Sequence, residues 1–220
     1  MNGGRRSIFA DQFRRLAEAR TPQATSSGHR ALSIMMVCTG NICRSAYAEA
    51  ALRDLLQHSH VLDVVVFSAG TDAVVGAAME SEMRGILRER YPYAAGTHNA
   101  QQLHEGALDE ADLVLVMTRE HRRRVVRRWP EAATKTVMLT DFCVAVSQPP
   151  AKHETDLSVM IRTAQQSASA GSLDVPDPYR ATAEVHRRVA DALDHDMRAI
   201  ARWLEKSREV QSTRDTGGRG

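Results

Sequence analysis

The sequence predicts a doubly wound α/β domain, and three observations carry that expectation. Four short apolar runs (32–37, 61–67, 113–117 and 136–139) are almost continuously hydrophobic, as strands buried on both faces of a parallel sheet must be. Stretches of helical spacing separate them, so strand and helix alternate along the chain. A length of 220 residues, 43% hydrophobic and 25% charged, suits one globular domain with loose ends. Ligands of such a fold bind beyond the carboxyl ends of its strands.

Residues 1–30 are expected to be a flexible basic extension ahead of the first strand. Within it Phe9, Phe13 and Leu16 follow i, i+4, i+7 spacing, which predicts a short amphipathic helix over 7–20. The first strand, Leu32–Val37, runs through a short loop into a helix with Ala48, Ala51, Leu52 and Leu55 on one face. The second, Val61–Phe67, precedes a helix at 79–90, and the third, Leu113–Met117, one at 119–128. After the fourth, Thr136–Leu139, comes a long connection with Pro149 and Pro150. A helical pattern follows on Leu157, Met160, Ile161 and Ala164, and the run 167–172, SASAGS, reads as a flexible joint. The last helix places Val185, Val189, Leu193, Met197, Ile200 and Leu204 on one side. The expected domain is 31–205, with a disordered tail at 206–220.

Composition excludes several function classes. No apolar stretch approaches the ~18 residues of a spanning helix, so no membrane insertion is expected, and the start lacks a secretory h-region. Cys38, Cys43 and Cys143 are too few for a disulfide scaffold and read as thiols of a reducing, cytoplasmic compartment. The net charge of +2 hides basic ends of +4 (1–30) and +2 (206–220) around a body of −4, which does not suit nucleic-acid binding. The Arg-rich run 119–128 spreads around a helix without interleaved aromatics and reads as a solvated face. No Cys/His spacing suggests zinc, and no cofactor is expected.

The chemistry concentrates after the first strand, in Cys38-Thr39-Gly40-Asn41-Ile42-Cys43-Arg44-Ser45. Such a loop between strand and helix can wrap into a ring of inward N–H groups that, with the helix dipole, binds a tetrahedral dianion. Gly40 offers the backbone angles a ring requires, and Asn41 suits locking the loop through its side chain. Arg44 can grip two phosphoryl oxygens at once. The same field favours Cys38 as a thiolate nucleophile, and Ser45 can donate to its sulfur.

On these residues the sequence resembles the low-molecular-weight protein tyrosine phosphatases. The likeness continues through Ser68-Ala69-Gly70-Thr71, His98–Leu103, residues 112–121 (DLVLVMTREH) and Asp174-Val175-Pro176-Asp177-Pro178-Tyr179. It implies a flavodoxin-like four-stranded parallel sheet, no metal, and an extra segment at about 141–172. Its implied activity is hydrolysis of phosphotyrosine-containing proteins through a phosphocysteine. In that scheme Cys38 is the nucleophile, Arg44 the phosphate clamp and Asp177 the general acid and base, while Thr39, Gly40, Asn41, Ile42, Cys43 and Ser45 bind or support the phosphate. Tyr179 is implied as one wall of the substrate slot, and Cys43 as a reversible disulfide partner of Cys38; a plain space-filling role is the alternative for Cys43. Asp174 is the nearest rival to Asp177.

Departures from the family pattern are few. Val74 stands where relatives often carry an aromatic second wall, and Gln101 where they usually have Arg, so a local ion pair is expected to be missing. His98 is expected to support the loop through Asn41 or Ser45, or to be plainly structural. Rival readings share the fold: an arginine phosphatase, which characteristically has Thr in place of Ile42, and an arsenate reductase, which needs two further cysteines. A phosphate-binding module without turnover is the rival from another class; intact Cys38, Arg44 and Asp177 argue against it. The sequence leaves the oligomeric state unknown.

Overall fold

The computed structural model describes residues 30–59, 61, 63–92, 94, 96–148, 156–167 and 173–217, the last eight of these as backbone only. Strands β1 (Leu32–Cys38), β2 (Val64–Gly70), β3 (Leu113–Val116) and β4 (Thr136–Met138) form one parallel sheet in the order β2-β1-β3-β4. The chain steps from β1 outward to β2, then crosses back to β3 on the other side. That reversal opens a crevice at the carboxyl end of β1, which is where the cysteine loop begins.

Alternate strand residues feed two cores. Ile34, Met36, Leu113 and Leu115 pack with helices α1 (Arg44–His58), α2 (Ser81–Arg90), α5 (Leu139–Ser147), α6 (Leu157–Ser167) and α7 (Ala183–Gly217). Met35, Val37, Val114 and Val116 pack with α3 (Glu105–Glu110) and α4 (Arg119–Arg128). Both faces are covered, so the strands carry apolar runs rather than alternation. Among the described residues no helix is long and apolar enough to cross a membrane.

On the larger face a polar knot ties three helices. Asp194 of α7 accepts from the Tyr47 hydroxyl of α1 (2.9 Å), from Tyr91 just after α2 (3.0 Å) and from Arg90 (2.8 Å). Burial and the neighbouring Asp194 charge push the Tyr91 hydroxyl up to about 12, so it remains a protonated donor.

Two helices lie outside the sequence expectations, and a third runs longer than expected. Helix α3 is six residues long, too short for a periodic signal, and is capped by the His104 side chain accepting from the Ala107 amide (3.2 Å). The connection after β4 opens directly as α5, whose Leu139, Phe142, Cys143 and Ala145 are buried; a helix apolar on most sides shows little periodicity. The last helix continues to Gly217, where a disordered tail is expected from 206. Ser207 is buried there and Arg208 pairs with Asp63, so the packed face outlasts the apolar pattern. The expected helix at 7–20, the two prolines 149–150 and residues 168–172 of the expected joint lie outside the described residues.

Candidate active site

The loop after β1 is turned inside out by its surroundings. The carbonyls of Cys38, Thr39, Gly40 and Ile42 accept from the amides of Thr71, Asp72, Val74 and Glu80 at 2.8–3.0 Å. That of Asn41 accepts from His98 Nε2 at 2.6 Å. In a planar peptide the N–H points opposite its carbonyl, so outward carbonyls turn the loop amides inward as an anion cup. Gly70 makes the close approach possible: a Cβ there would stand 2.3 Å from the Thr39 carbonyl oxygen.

The left-handed position of the loop belongs to Asn41 (φ 54°), not to the expected Gly40. Asn tolerates that conformation, and here its fully buried side chain is bonded on every side. Its Oδ1 accepts from the Gln101 amide (2.7 Å), and its Nδ2 donates to Ser45 Oγ (2.9 Å) and Ser68 Oγ (2.8 Å). Ser68 in turn donates to buried Glu49 (2.6 Å). Asn41 occupies one lone pair of Ser45 Oγ, which lies 2.9 Å from Cys38 Sγ, so Ser45 can donate to a Cys38 thiolate or accept from its thiol. The Gln101 side chain bonds Asn99 O instead of joining an ion pair.

Arg44, in the first turn of α1, is buried and donates to Val175 O (3.0 Å) and to Asp177 (2.8 Å), while its Nε has no protein partner. Asp177 is half exposed and also accepts from the Tyr179 amide (3.2 Å). Asp174 faces elsewhere, accepting from the Arg119 amide (3.0 Å) and pairing with its guanidinium (3.3 Å). Tyr179 is half exposed with Arg180 stacked on its ring, 5.2 Å to the centroid. Val74 is half exposed near Gly40, where a glycine Cβ would lie 3.7 Å from Val74 Cγ2.

The pocket beside the cup is lined by Thr39, Arg44, Thr118, Glu120, His121, Arg124 and Asp177. The sequence expectation placed Glu120, His121 and Arg124 on a solvated helix face and gave Thr118 no role, whereas all four line this pocket. Buried His121 lies within the DLVLVMTREH stretch, and only folding shows that its ring meets the loop. Of the α4 arginines, Arg119, Arg123 and Arg124 pair with Asp174, Glu120 and Asp72, and Arg122 bonds Thr136 O. Cys43 is buried, and burial with the Glu80 charge pushes its thiol up to about 12. Cys38, Cys43 and Cys143 are all free thiols.

The sequence model of the low molecular weight phosphotyrosine protein phosphatases matches residues 33–153. The chain belongs to that family. A protein-arginine-phosphatase of Geobacillus stearothermophilus is 31% identical over 172 residues, covering 78% of this chain and 95% of its own. The low molecular weight protein-tyrosine-phosphatase Ptp of Acinetobacter johnsonii is 29% identical, over 60% and 91%. Among solved structures, the low molecular weight protein tyrosine phosphatase of T. tengcongensis superposes with a TM-score of 0.62 at 28% identity, covering 77% of this chain and 97% of that one. A cysteine-to-serine mutant of the YwlE arginine phosphatase, with its active-site serine phosphorylated, superposes at 0.64 and 25% identity, over 81% and 99%. The protein is thus a phosphatase of flavodoxin-like fold, acting on phosphoproteins.

Proposed function

We propose that this phosphatase hydrolyses protein phosphotyrosine through a phosphocysteine, with Cys38, Arg44 and Asp177 in the roles of nucleophile, clamp and acid. One observation carries the reading: the Cys38 sulfur sits at the cup within hydrogen-bond reach of Ser45 Oγ (2.9 Å), and Arg44 joins that cup to Asp177 (2.8 Å). An arriving phosphate dianion competes with Asp177 for the Arg44 fork and shifts the carboxyl toward the leaving oxygen. The Cys38 thiolate forms an S–P bond as the P–O bond to the aryl group breaks, and Asp177 gives its proton to the departing aryloxide. The carboxylate then takes a proton from water, which attacks phosphorus. The S–P electrons return to sulfur, where the Ser45 proton stabilises the thiolate, and inorganic phosphate leaves.

Thr39 to Ser45 supply the cup, its support and its rim, and Tyr179 and Val74 stand as half-exposed walls for a flat ring. The phosphorylated serine of the YwlE mutant, which stands in place of a cysteine, supports a covalent route. Three free cysteines suit a reducing, cytoplasmic compartment. A second substrate class, phosphoarginine, is favoured by the 31% identity to a protein-arginine-phosphatase. Ile42, partly buried on the loop, leaves less room for a guanidinium than the smaller Thr characteristic of those enzymes.

Hydrolysis of matched phosphotyrosine, phosphoserine and phosphoarginine peptides in metal-free buffer is the test. Phosphotyrosine should be fastest and phosphoserine slowest, since a long aryl phosphate reaches a sunken nucleophile. A phosphoarginine rate above that for phosphotyrosine overturns the substrate assignment; turnover retained in Cys38→Ser overturns the mechanism.

A further inference from the structure

The hydrolytic scheme leaves two hydroxyls and an imidazole in the pocket wall unused. Thr118 is the N-cap of α4, and its Oγ1 accepts from the His121 amide (3.2 Å) while lying 2.9 Å from His121 Nδ1. The other ring nitrogen, Nε2, lies 2.9 Å from Thr39 Oγ1. Among the described residues the Thr39 hydroxyl has no other hydrogen-bond partner, and it lines the same pocket as Arg44 and Asp177. Its backbone is pinned as well, the Thr39 carbonyl accepting from Asp72 N (3.0 Å) above the Gly70 α-carbon.

We propose that Thr118, His121 and Thr39 form a hydroxyl–imidazole–hydroxyl relay that holds the Thr39 hydroxyl as a donor to a phosphoryl oxygen of the bound substrate. The inference rests on the Cys38–Arg44–Asp177 reading of the site, and His121 is in it a positioning residue. The relay can run in two directions, one for each tautomer of the ring. Thr118 Oγ1 accepts the His121 backbone N–H with one lone pair and keeps its own proton, which it can donate to Nδ1. A ring that accepts at Nδ1 carries its proton on Nε2 and donates to Thr39, and the Thr39 proton is then free to face the pocket. The opposite tautomer turns Thr39 toward Nε2 and presents a lone pair to the phosphate. A phosphate dianion offers acceptors only, so its arrival selects the first arrangement. Burial and the Arg44 charge hold His121 down to about 4, so the ring is neutral and only the tautomer is in question.

Two measurements test this. In protein carrying 15N-labelled histidine and saturated with inorganic phosphate, the His121 side-chain resonances should be those of the Nε2–H tautomer; a dominant Nδ1–H form overturns the relay. In kinetics on phosphotyrosine peptide, Thr39→Val and His121→Phe should each lower kcat/KM about 10-fold, the order expected of a hydrogen bond to a charged group. The double variant should fall no further than the worse single one, and Thr39→Ser should restore activity. Losses that multiply in the double variant overturn the proposal even where Cys38→Ser is inactive and the hydrolytic reading stands. Turnover surviving in Cys38→Ser removes that reading and the relay with it.

Discussion

The phosphate loop and the acid loop meet at Arg44 but are held in opposite ways. Residues 38–45 are fixed by outward carbonyl bonds and by a buried chain from Glu49 through Ser68, Asn41 and Ser45 to the Cys38 sulfur. Residues 173–180 are held by a few anchors: Thr140 on Leu173 O (2.9 Å), Val175 N on Met117 O (2.9 Å), Arg119 on Asp174 and Arg44 on Asp177. The first region is built into the core, so its chemistry and its stability rest on the same bonds. The second is largely exposed and joined to the cup by charge, which leaves it able to exchange partners when a phosphate takes Arg44.

The largest expected effect separates chemistry from architecture inside the rigid region. Cys38→Ser should cost on the order of 10⁴-fold in turnover yet keep phosphate binding by titration calorimetry, because the amide ring does not depend on the sulfur. Loss of phosphate binding in that variant means the cup is held through the thiol after all.

Next is Asp177→Asn, which should lower phosphotyrosine turnover by about 10²–10⁴-fold and leave the urea midpoint in place. The loss should shrink on an aryl phosphate with an activated leaving group. A uniform loss across leaving groups removes Asp177 as the proton donor.

Asn41→Ala should behave in the reverse manner, lowering both stability and turnover. Ser45 Oγ, Ser68 Oγ and the Gln101 amide all lose a buried partner, a destabilisation of about 2–4 kcal/mol in urea unfolding. An unchanged midpoint would show that the loop is held by its backbone alone.

His121, which stands between the two regions, gives a pH signature. Its folded value of about 4 lies below the ordinary 6.5 because of burial and Arg44. The unfolded chain therefore binds the extra proton first as pH falls, so stability is full above about 6.5 and is lost as pH drops toward 4. On the order of 2–3 kcal/mol of the wild-type acid loss should vanish in His121→Gln. Equal losses in the two proteins refute a buried neutral ring.

Asp174→Asn closes the series with a change of only a few-fold in turnover, since Asp174 holds the start of α4 rather than the cup. A leaving-group dependence in this variant, rather than in Asp177→Asn, would put the register of the acid loop in error.

The sheet, the cysteine loop and the long last helix were legible because each rests on local chemistry. Continuous apolar runs mark doubly buried strands, and a strand-end Cys, an Asn and an Arg followed by Ser mark an anion cup. Helices α3 and α5 were not, one being too short and the other too evenly apolar for a period to show.

The residues alone determined the α/β class and the candidate nucleophile and clamp, all within one stretch of chain. Likeness to a family added the acid at Asp177. Only the tertiary structure decided what holds those groups. Asn41 rather than Gly40 takes the left-handed turn because Gln101, Ser45 and Ser68 converge on its side chain. His121 reaches Thr39 across 82 residues because β1 and β3 are neighbours in the sheet. Gly70 is required because Thr39 lies against it. Contacts of that separation leave no spacing in a sequence, since strand order rather than chain distance brings them together.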